Sequence, residues 1–173
     1  MSNNTKHYRI IKNTPVGHLL ACAERVGGIE DIDGLVVTQL DFLPAEQREQ
    51  VFLSDNKPCA LLDELEAQLE AYFSGTLRQF DLPLAPAGTE FQQAVWNALE
   101  TIPYGETWSY KQLAEAVSRP KGYQAVGQAN GRNPIVIIIP CHRVIAADGS
   151  LGGYGGGLAR KKNLLKLEQV GCR

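Results

Sequence analysis

A cysteine followed directly by a histidine, Cys141-His142, is the pair in this chain best suited to nucleophilic chemistry. The apolar run at 135–139 before it predicts a strand buried on both faces, and Pro140 ends that strand because it cannot donate to a sheet ladder. If a helical turn follows, Cys141 lies at its N-terminus, where exposed N–H groups favour the reactive thiolate. A cysteine that is only a small buried apolar side chain fits the same run.

His142 is the candidate base for that thiol. Adjacent side chains point in different directions, so we expect a water molecule to carry the proton from Cys141 to His142. Such a base also needs an acid that fixes its tautomer. Glu168, in a helix predicted from about Leu158 to Gln169, is the candidate, although Asp148 is the carboxylate nearer in sequence.

Short motifs between residues 91 and 168 occur in the order and at the spacing of a known family. They are FQQAVW at 91–96, IPYGET at 102–107, SYKQLA at 109–114, AVG at 125–127, NP at 133–134, PCHRV at 140–144 and GYGGGL at 153–158. This part of the chain resembles the C-terminal domain of the O6-alkylguanine-DNA alkyltransferases, or methylated-DNA–protein-cysteine methyltransferases. The resemblance implies direct DNA repair, in which the damaged nucleotide is flipped out and its alkyl group moves once, irreversibly, from guanine O6 to Cys141.

Two further residues are expected in the site in addition to Cys141, His142 and Glu168. By resemblance, Tyr110 is expected to donate a hydrogen bond to the guanine as negative charge develops on it, as oxyanion donors do. Asn133 is expected to hold the loop that carries Cys141, or to share hydrogen bonds with the thiolate. These five residues are the predicted catalytic set.

A second predicted set contacts the flipped base or the DNA. Its members are Gln124, Arg143, Gly152, Tyr154 and Gly155. Glycines let a backbone approach a flat base, and an aromatic ring can cover it. Where the family usually has an arginine that replaces the extruded nucleotide, this chain has Gln124, which lacks a planar stacking cation. We therefore expect weaker duplex binding, with Tyr123 and Arg132 as candidate replacements. The resemblance implies that Lys161 lies near the pocket, but a cationic helix face fits a solvated lysine as well, and Lys161 stays outside the predicted site.

The net charge of −2 conceals a division within the chain. Residues 1–86 contain 7 Lys and Arg and 13 Asp and Glu, whereas residues 87–173 contain 10 and 6. The C-terminal half therefore has net charge +4 and is suited to face DNA phosphates, unless the division arose by chance. The resemblance implies that the partner is double-stranded alkylated DNA, bound through the minor groove.

Cysteine spacing and hydropathy indicate the class and location of the protein. The cysteines at 22, 59, 141 and 172 show no C-x-x-C spacing, and no signal peptide or apolar run of transmembrane length occurs. This predicts a cytoplasmic, monomeric protein that does not associate with membranes. His18, Cys22 and Cys59 do not make a four-ligand set, so we expect no metal, and we expect no cofactor.

The predicted fold class is α+β. Residues 1–86 are expected to form a small sheet-and-helix support domain, with strands at 8–12, 19–23 and 34–42 and a helix carrying Leu61, Leu65, Leu69 and Phe73 on one face. Residues 87–173 are expected to form a mainly helical, winged helix-turn-helix-like domain. Its first helix starts at the cap Ser109 and runs through Ala116, with Leu113 and Val117 inward, and its second runs from about Tyr123 to Gly131.

The second of these helices is rich in small residues, Ala125, Gly127, Ala129 and Gly131. Small side chains let a helix approach a groove closely without reading base edges, which suits a protein that acts in any DNA sequence. Tight packing between two helices favours the same residues.

Two other functions fit parts of the sequence. One is a non-catalytic alkyl-DNA sensor or winged-helix module, which Cys141 in a Pro-Cys-His-Arg motif argues against. The other is a cysteine hydrolase, which the adjacency of Cys141 and His142 disfavours because thiol proteases assemble this pair from distant segments.

Overall fold

The computed structural model describes residues 6–26, 34–47 and 57–170, and the chain divides after Pro86 into two compact units. The first unit contains β1 (Lys6–Thr14), β2 (Gly17–Arg25), β3 (Leu35–Phe42), a 3-10 turn (Ala45–Gln47) and α1 (Ala60–Phe73). The second contains α2 (Glu90–Glu100), β4 (Trp108–Ser109), α3 (Tyr110–Ala116), α4 (Tyr123–Gly131), a 3-10 turn (Cys141–Arg143), β5 (Val144–Ile145) and α5 (Leu158–Val170). The α+β fold class is confirmed.

The first unit is an antiparallel meander, β1-β2-β3, with α1 packed on it. The helix buries Leu62, Leu65, Leu69 and Tyr72. The predicted helix is present, but the prediction that Leu61 and Phe73 share its inner face is wrong. Both are only partly buried, because the 3.6-residue period turns the buried stripe toward Leu62 and Tyr72.

The second unit begins with helices whose ends are determined locally. The side chain of Ser109 accepts a hydrogen bond from the backbone N–H of Gln112, whose side chain in turn accepts from the N–H of Ser109. The predicted helices Tyr110–Ala116 and Tyr123–Gly131 are confirmed. Leu113 is buried as predicted, whereas Val117 is only partly buried because it caps the end of α3.

The apolar run at 135–139 is buried but is not a strand, so that prediction is wrong. Ile137 has a positive φ of 73°, and Ile139 donates its N–H to the carbonyl of Ile135 at 3.1 Å. Cys141 donates likewise to Ile139 at 2.8 Å. The segment is a buried turn that satisfies its backbone over short range. A continuous apolar run indicates burial, but its pattern does not distinguish an extended segment from a folded one.

A short parallel pairing brings the Cys141 turn to the start of α3. Trp108 pairs with Val144 and Ser109 with Ile145. Cys141 lies in the 3-10 turn that immediately precedes β5, and Tyr110 immediately follows β4. The pairing of the two strands therefore brings these two residues close together. No helix among residues 6–26, 34–47 and 57–170 has the length and hydropathy to cross a membrane.

Candidate active site around Cys141

Cys141 opens the 3-10 turn and is 4% exposed. Burial raises the pKa of its thiol, because the charged thiolate is poorly solvated there. The nearby side chain of Asn133, the positive charge of Lys161 and the nearby hydroxyl of Tyr154 lower the pKa without cancelling that rise. Cys141 therefore rests as a thiol and needs a base to become a nucleophile.

His142 is fully buried, and its Nε2 lies 2.7 Å from Glu168 Oε1. An ionised carboxylate only accepts hydrogen bonds, so Nε2 carries the hydrogen and Nδ1 keeps its lone pair. Nδ1 has no hydrogen-bond partner among the described residues. The structure thus brings Glu168 to His142 as the sequence suggested, whereas Asp148 is exposed and binds Ser150.

Glu168 remains ionised although it is buried. Burial alone would raise its pKa, but hydrogen bonds and charge from His142 and Arg143 outweigh this and lower the pKa to about 2. The pKa of His142 is lowered, first by burial and against the opposing effect of Glu168. His142 is accordingly a neutral imidazole at rest, the form that can accept a proton.

Two asparagines hold the backbone around the cysteine. Asn133 donates to the carbonyl of Ile139 at 2.7 Å and accepts from the N–H of Ile135 at 2.9 Å, which closes the turn before Cys141. Asn130, on α4, donates to the carbonyl of Cys141 at 3.5 Å. Asn133 also lies close enough to the thiol to lower its pKa.

Lys161 is fully buried, which excludes the alternative of a solvated lysine. Its Nζ donates to the carbonyls of Val144 at 2.6 Å, Gly153 at 3.2 Å and Leu151. These contacts tie α5 to β5 and to the loop before the helix. The sequence contained a signal: Lys161 lies three, four and seven residues before Leu164, Leu165 and Glu168, on the face that α5 buries. Asn130 was missed too, although it follows Val126 by four residues on the buried face of α4.

Tyr110 stands between two glycines. A Cβ on Gly152 would lie 3.3 Å from the ring of Tyr110, and one on Gly127 would lie 3.8 Å from it. Gly152 also has φ +67°, so both its conformation and its close approach favour glycine. Burial, and then the neighbouring Cys141, raise the pKa of Tyr110, so its hydroxyl stays protonated and able to donate.

The glycine-rich loop lies beside the same site. Tyr154 is partly buried, and Nζ of Lys161 lies 6.0 Å from the centroid of its ring. A Cβ on Gly155 would lie 3.8 Å from the carbonyl of Gly131 at the end of α4. The structure therefore gathers Tyr110, Gly152 and Tyr154 near Cys141, and sets Gly155 against the end of α4.

Arg143 does not face solvent as a DNA-contacting residue would, so its assignment to the DNA-binding set is corrected. Its guanidinium is buried, with Nε 2.9 Å from Glu168 Oε2 and Nη1 2.6 Å from the carbonyl of Ile102. A carboxylate 25 residues away in the chain satisfies its charge.

Helix α4 divides into a buried and an exposed face. Val126, Ala129 and Asn130 are buried, and the carbonyl of Ala129 accepts from Nε1 of Trp96 at 2.9 Å. Ala129 therefore packs inward, as in the helix-packing alternative. The exposed positions are Tyr123, Gln124, Ala125, Gln128 and Gly131. Gln124 is placed where it can meet a ligand.

These features define a helix-turn-helix protein with a buried cysteine beside a carboxylate-bound histidine. Residues 90–170 match the family described as 6-O-methylguanine DNA methyltransferase, DNA binding domain. The methylated-DNA–protein-cysteine methyltransferase of Methanosarcina barkeri is 47% identical over 167 residues, which cover 96% of this chain and 99% of that protein. The chain belongs to the methylated-DNA–protein-cysteine methyltransferase family.

Solved structures of proteins in this family resemble the structure of this chain. The crystal structure of Mycobacterium tuberculosis O6-methylguanine methyltransferase is similar with a TM-score of 0.79 and 45% identity, covering 96% of this chain and 94% of that one. A structure of the M. tuberculosis protein in complex with DNA has a TM-score of 0.78 and 46% identity, covering 95% and 94%. The enzyme from Pyrococcus kodakaraensis, at 20% identity and a TM-score of 0.54, shares the fold.

Proposed function

We propose that this protein repairs alkylated duplex DNA by moving an alkyl group from guanine O6 to Sγ of Cys141. The observation that carries the proposal is the buried Cys141 followed by His142, whose Nε2 is bound by Glu168 at 2.7 Å. This arrangement leaves Nδ1 of His142 as the base, and family membership supports DNA as the substrate.

The first step is proton transfer. The thiol proton of Cys141 passes through a water molecule to Nδ1 of His142, and the carboxylate of Glu168 stabilises the imidazolium that forms. The charge of Lys161 and the nearby polar groups of Asn133 and Tyr154 stabilise the thiolate. Since burial disfavours an isolated thiolate, this compensation is needed at the moment of attack.

The second step is displacement. The thiolate attacks the alkyl carbon, a C–S bond forms, the C–O6 bond breaks, and the electron pair of that bond passes into the guanine. The hydroxyl of Tyr110 donates to the purine as this charge develops. The product is a thioether, which none of the described residues is placed to hydrolyse, so each molecule acts once.

Intact-mass measurement after incubation with alkylated duplex tests the proposal. Transfer adds the mass of one alkyl group to each molecule, permanently. No mass gain despite binding would identify a non-catalytic sensor, and turnover without a stable adduct would identify a hydrolase.

DNA is expected to bind at the exposed face of α4, through the minor groove. The residues there are small or uncharged, and the cations Lys111, Arg119, Lys121 and Arg132 are exposed on or beside α3 and α4. Phosphate contacts from these cations would position the duplex without reading its sequence. We expect a monomer, and a free thiol suits the reducing cytoplasm.

Duplex affinity is expected to fall as salt rises, with little dependence on sequence. Each phosphate contact contributes a slope of about −0.9 in log affinity against log salt, so four exposed cations give at most about −4. Lys121→Ala should reduce the slope by about 1, whereas Lys12→Ala in the first unit should leave it unchanged. Titrations at several salt concentrations measure this. Salt-independent affinity would contradict a phosphate-binding surface.

Gln124→Arg is expected to tighten duplex binding and speed repair of duplex lesions by up to about tenfold, because a planar cation stacks on neighbouring bases. Transfer from the free alkylated base should change little, because free base needs no extrusion. Single-turnover rates on both substrates test this.

Gln128→Arg is the matched control, because it adds the same charge one turn away on the same exposed face of α4. It should tighten binding only through general electrostatics. Equal rate changes on both substrates for Gln124→Arg would place that residue in the pocket. No change on duplex would mean that Tyr123, 48% exposed at the start of α4, or Arg132 already fills the role.

A further inference from the structure

The carboxylate of Glu168 is shared between two side chains and also accepts from the backbone N–H of Gly105 at 3.5 Å. Oε1 accepts from Nε2 of His142 at 2.7 Å and from Nη2 of Arg143 at 2.9 Å, and Oε2 accepts from Nε of Arg143 at 2.9 Å. The two buried residues that share this carboxylate, His142 and Arg143, are the two that follow Cys141 in the chain. The mechanism above uses the contact with His142 but gives Arg143 no part.

We propose that Arg143 is a positioning residue that restrains the nucleophile: by sharing the carboxylate of Glu168, it keeps His142 uncharged and Cys141 as a thiol in the resting site. The proposal rests on Cys141 being the alkyl acceptor. It adds a resting state in which the sulfur is protected from chance electrophiles, which matters in a protein that reacts only once.

The charges around His142 support a restrained resting state. An unpaired carboxylate at 2.7 Å would strongly favour an imidazolium, but Arg143 supplies a full positive charge to the same carboxylate. Lys161, on α5 with Glu168, adds a second buried cation nearby. Among the described residues, the other titratable groups near this cluster are the Cys141 thiol and the hydroxyls of Tyr104, Tyr110 and Tyr154, which carry no charge in their ordinary protonated forms. Because Arg143 already balances the negative charge of Glu168, protonating His142 at rest would add a positive charge that has no counterion.

The geometry also explains why an arginine suits this position. Two parallel N–H donors grip both oxygens of Glu168 and set the plane of the carboxylate, and a third donor reaches the carbonyl of Ile102 at 2.6 Å. The guanidinium carbon lies 5.8 Å from the ring centroid of Tyr104. A carboxylate held this way keeps the hydrogen of His142 on Nε2, and thus leaves Nδ1 available for the thiol proton.

The test is the pH profile of Cys141 alkylation by iodoacetamide, followed at the Cys141 peptide by mass spectrometry. Arg143→Met should shift the midpoint about one unit lower and raise the rate at neutral pH about tenfold, because Glu168 then acts on His142 alone. Arg9→Met is the matched control. It removes a guanidinium paired with Asp63 and Glu66 in the first unit and should leave the profile at its parent position. An unchanged or higher midpoint in Arg143→Met would overturn the proposal.

A second measurement decides the matter if Arg143→Met does not fold. The imidazole nitrogen chemical shifts of His142 in the parent protein report its protonation state directly. A neutral imidazole at neutral pH supports the restraint, and an imidazolium at neutral pH would overturn it.

A separate assay of the parent protein distinguishes failure of this inference from failure of the proposed function. Mapping the adduct formed from alkylated DNA to a cysteine other than Cys141 would overturn the proposed function. A Cys141 adduct together with an unmoved profile in Arg143→Met would overturn only the restraint.

Discussion

Cys141→Ala is expected to abolish alkyl transfer while binding to duplex DNA survives. The described structure has one cysteine within reach of His142, Lys161, Asn133 and Tyr154, and alanine removes only the sulfur from a turn held by backbone contacts. Intact mass after incubation with alkylated duplex, beside a binding titration, measures both effects.

Cys22→Ser and Cys59→Ser are the controls within the described residues. Cys22 lies in β2 opposite Tyr8 and Gln39, where burial raises the pKa of its thiol, and Cys59 is buried immediately before α1. Neither has a neighbouring histidine in sequence, so transfer should continue in both. Cys172, which lies outside the described residues, is tested in the same way. Peptide mapping that placed the alkyl group on any of these three would reject Cys141.

Glu168→Gln is expected to slow transfer by about a hundredfold or more, the usual size of a general-base contribution. Glutamine cannot stabilise an imidazolium, so proton transfer from Cys141 becomes harder and the apparent pKa of the thiol rises. Single-turnover rates across a pH series measure this. Glu115→Gln, on the exposed surface of α3, should behave like the parent. A rate equal to that of the parent would remove Glu168 from the site.

The structure adds a cost that the sequence did not suggest. Glu168→Gln leaves the buried guanidinium of Arg143 without its counterion, so the free energy of unfolding should fall by about 3–5 kcal/mol. Activity must therefore be compared at a temperature where the variant is folded, as judged by circular dichroism. The double variant with Arg143→Met separates the two effects, because it removes the unpaired charge but does not restore the base.

The ion pair between Glu168 and Arg143 makes the free energy of unfolding fall at acid pH. The pKa of Glu168 in the folded protein is about 2, below the unfolded value of about 4.3. The contribution of Glu168 to the free energy of unfolding is therefore fully present above the unfolded pKa and is lost as pH falls through about 4 toward 2.

The sequence by itself determined the parts of this protein whose signals are local. The capping residues Ser109 and Gln112 are three positions apart, so they start α3 without any contact from distant parts of the chain. The helices predicted at 123–131 and from about 158 to 169 are α4 and α5. Cys141 next to His142 indicated the chemistry directly, whereas only the fold decided between Glu168 and Asp148.

Tertiary structure decided what the charged and apolar residues do once buried. Residues 135–139 are as apolar as a strand, yet they fold into a turn because Asn133 closes their backbone from outside the run. The sequence left Lys161 outside the site and put Arg143 in the DNA-binding set, but the fold buries both. Carbonyls of Val144 and Ile102 and the carboxylate of Glu168 accept hydrogen bonds from them there. Burying a charge is favourable only with such partners, and partners up to 41 residues apart in the chain meet only when it folds.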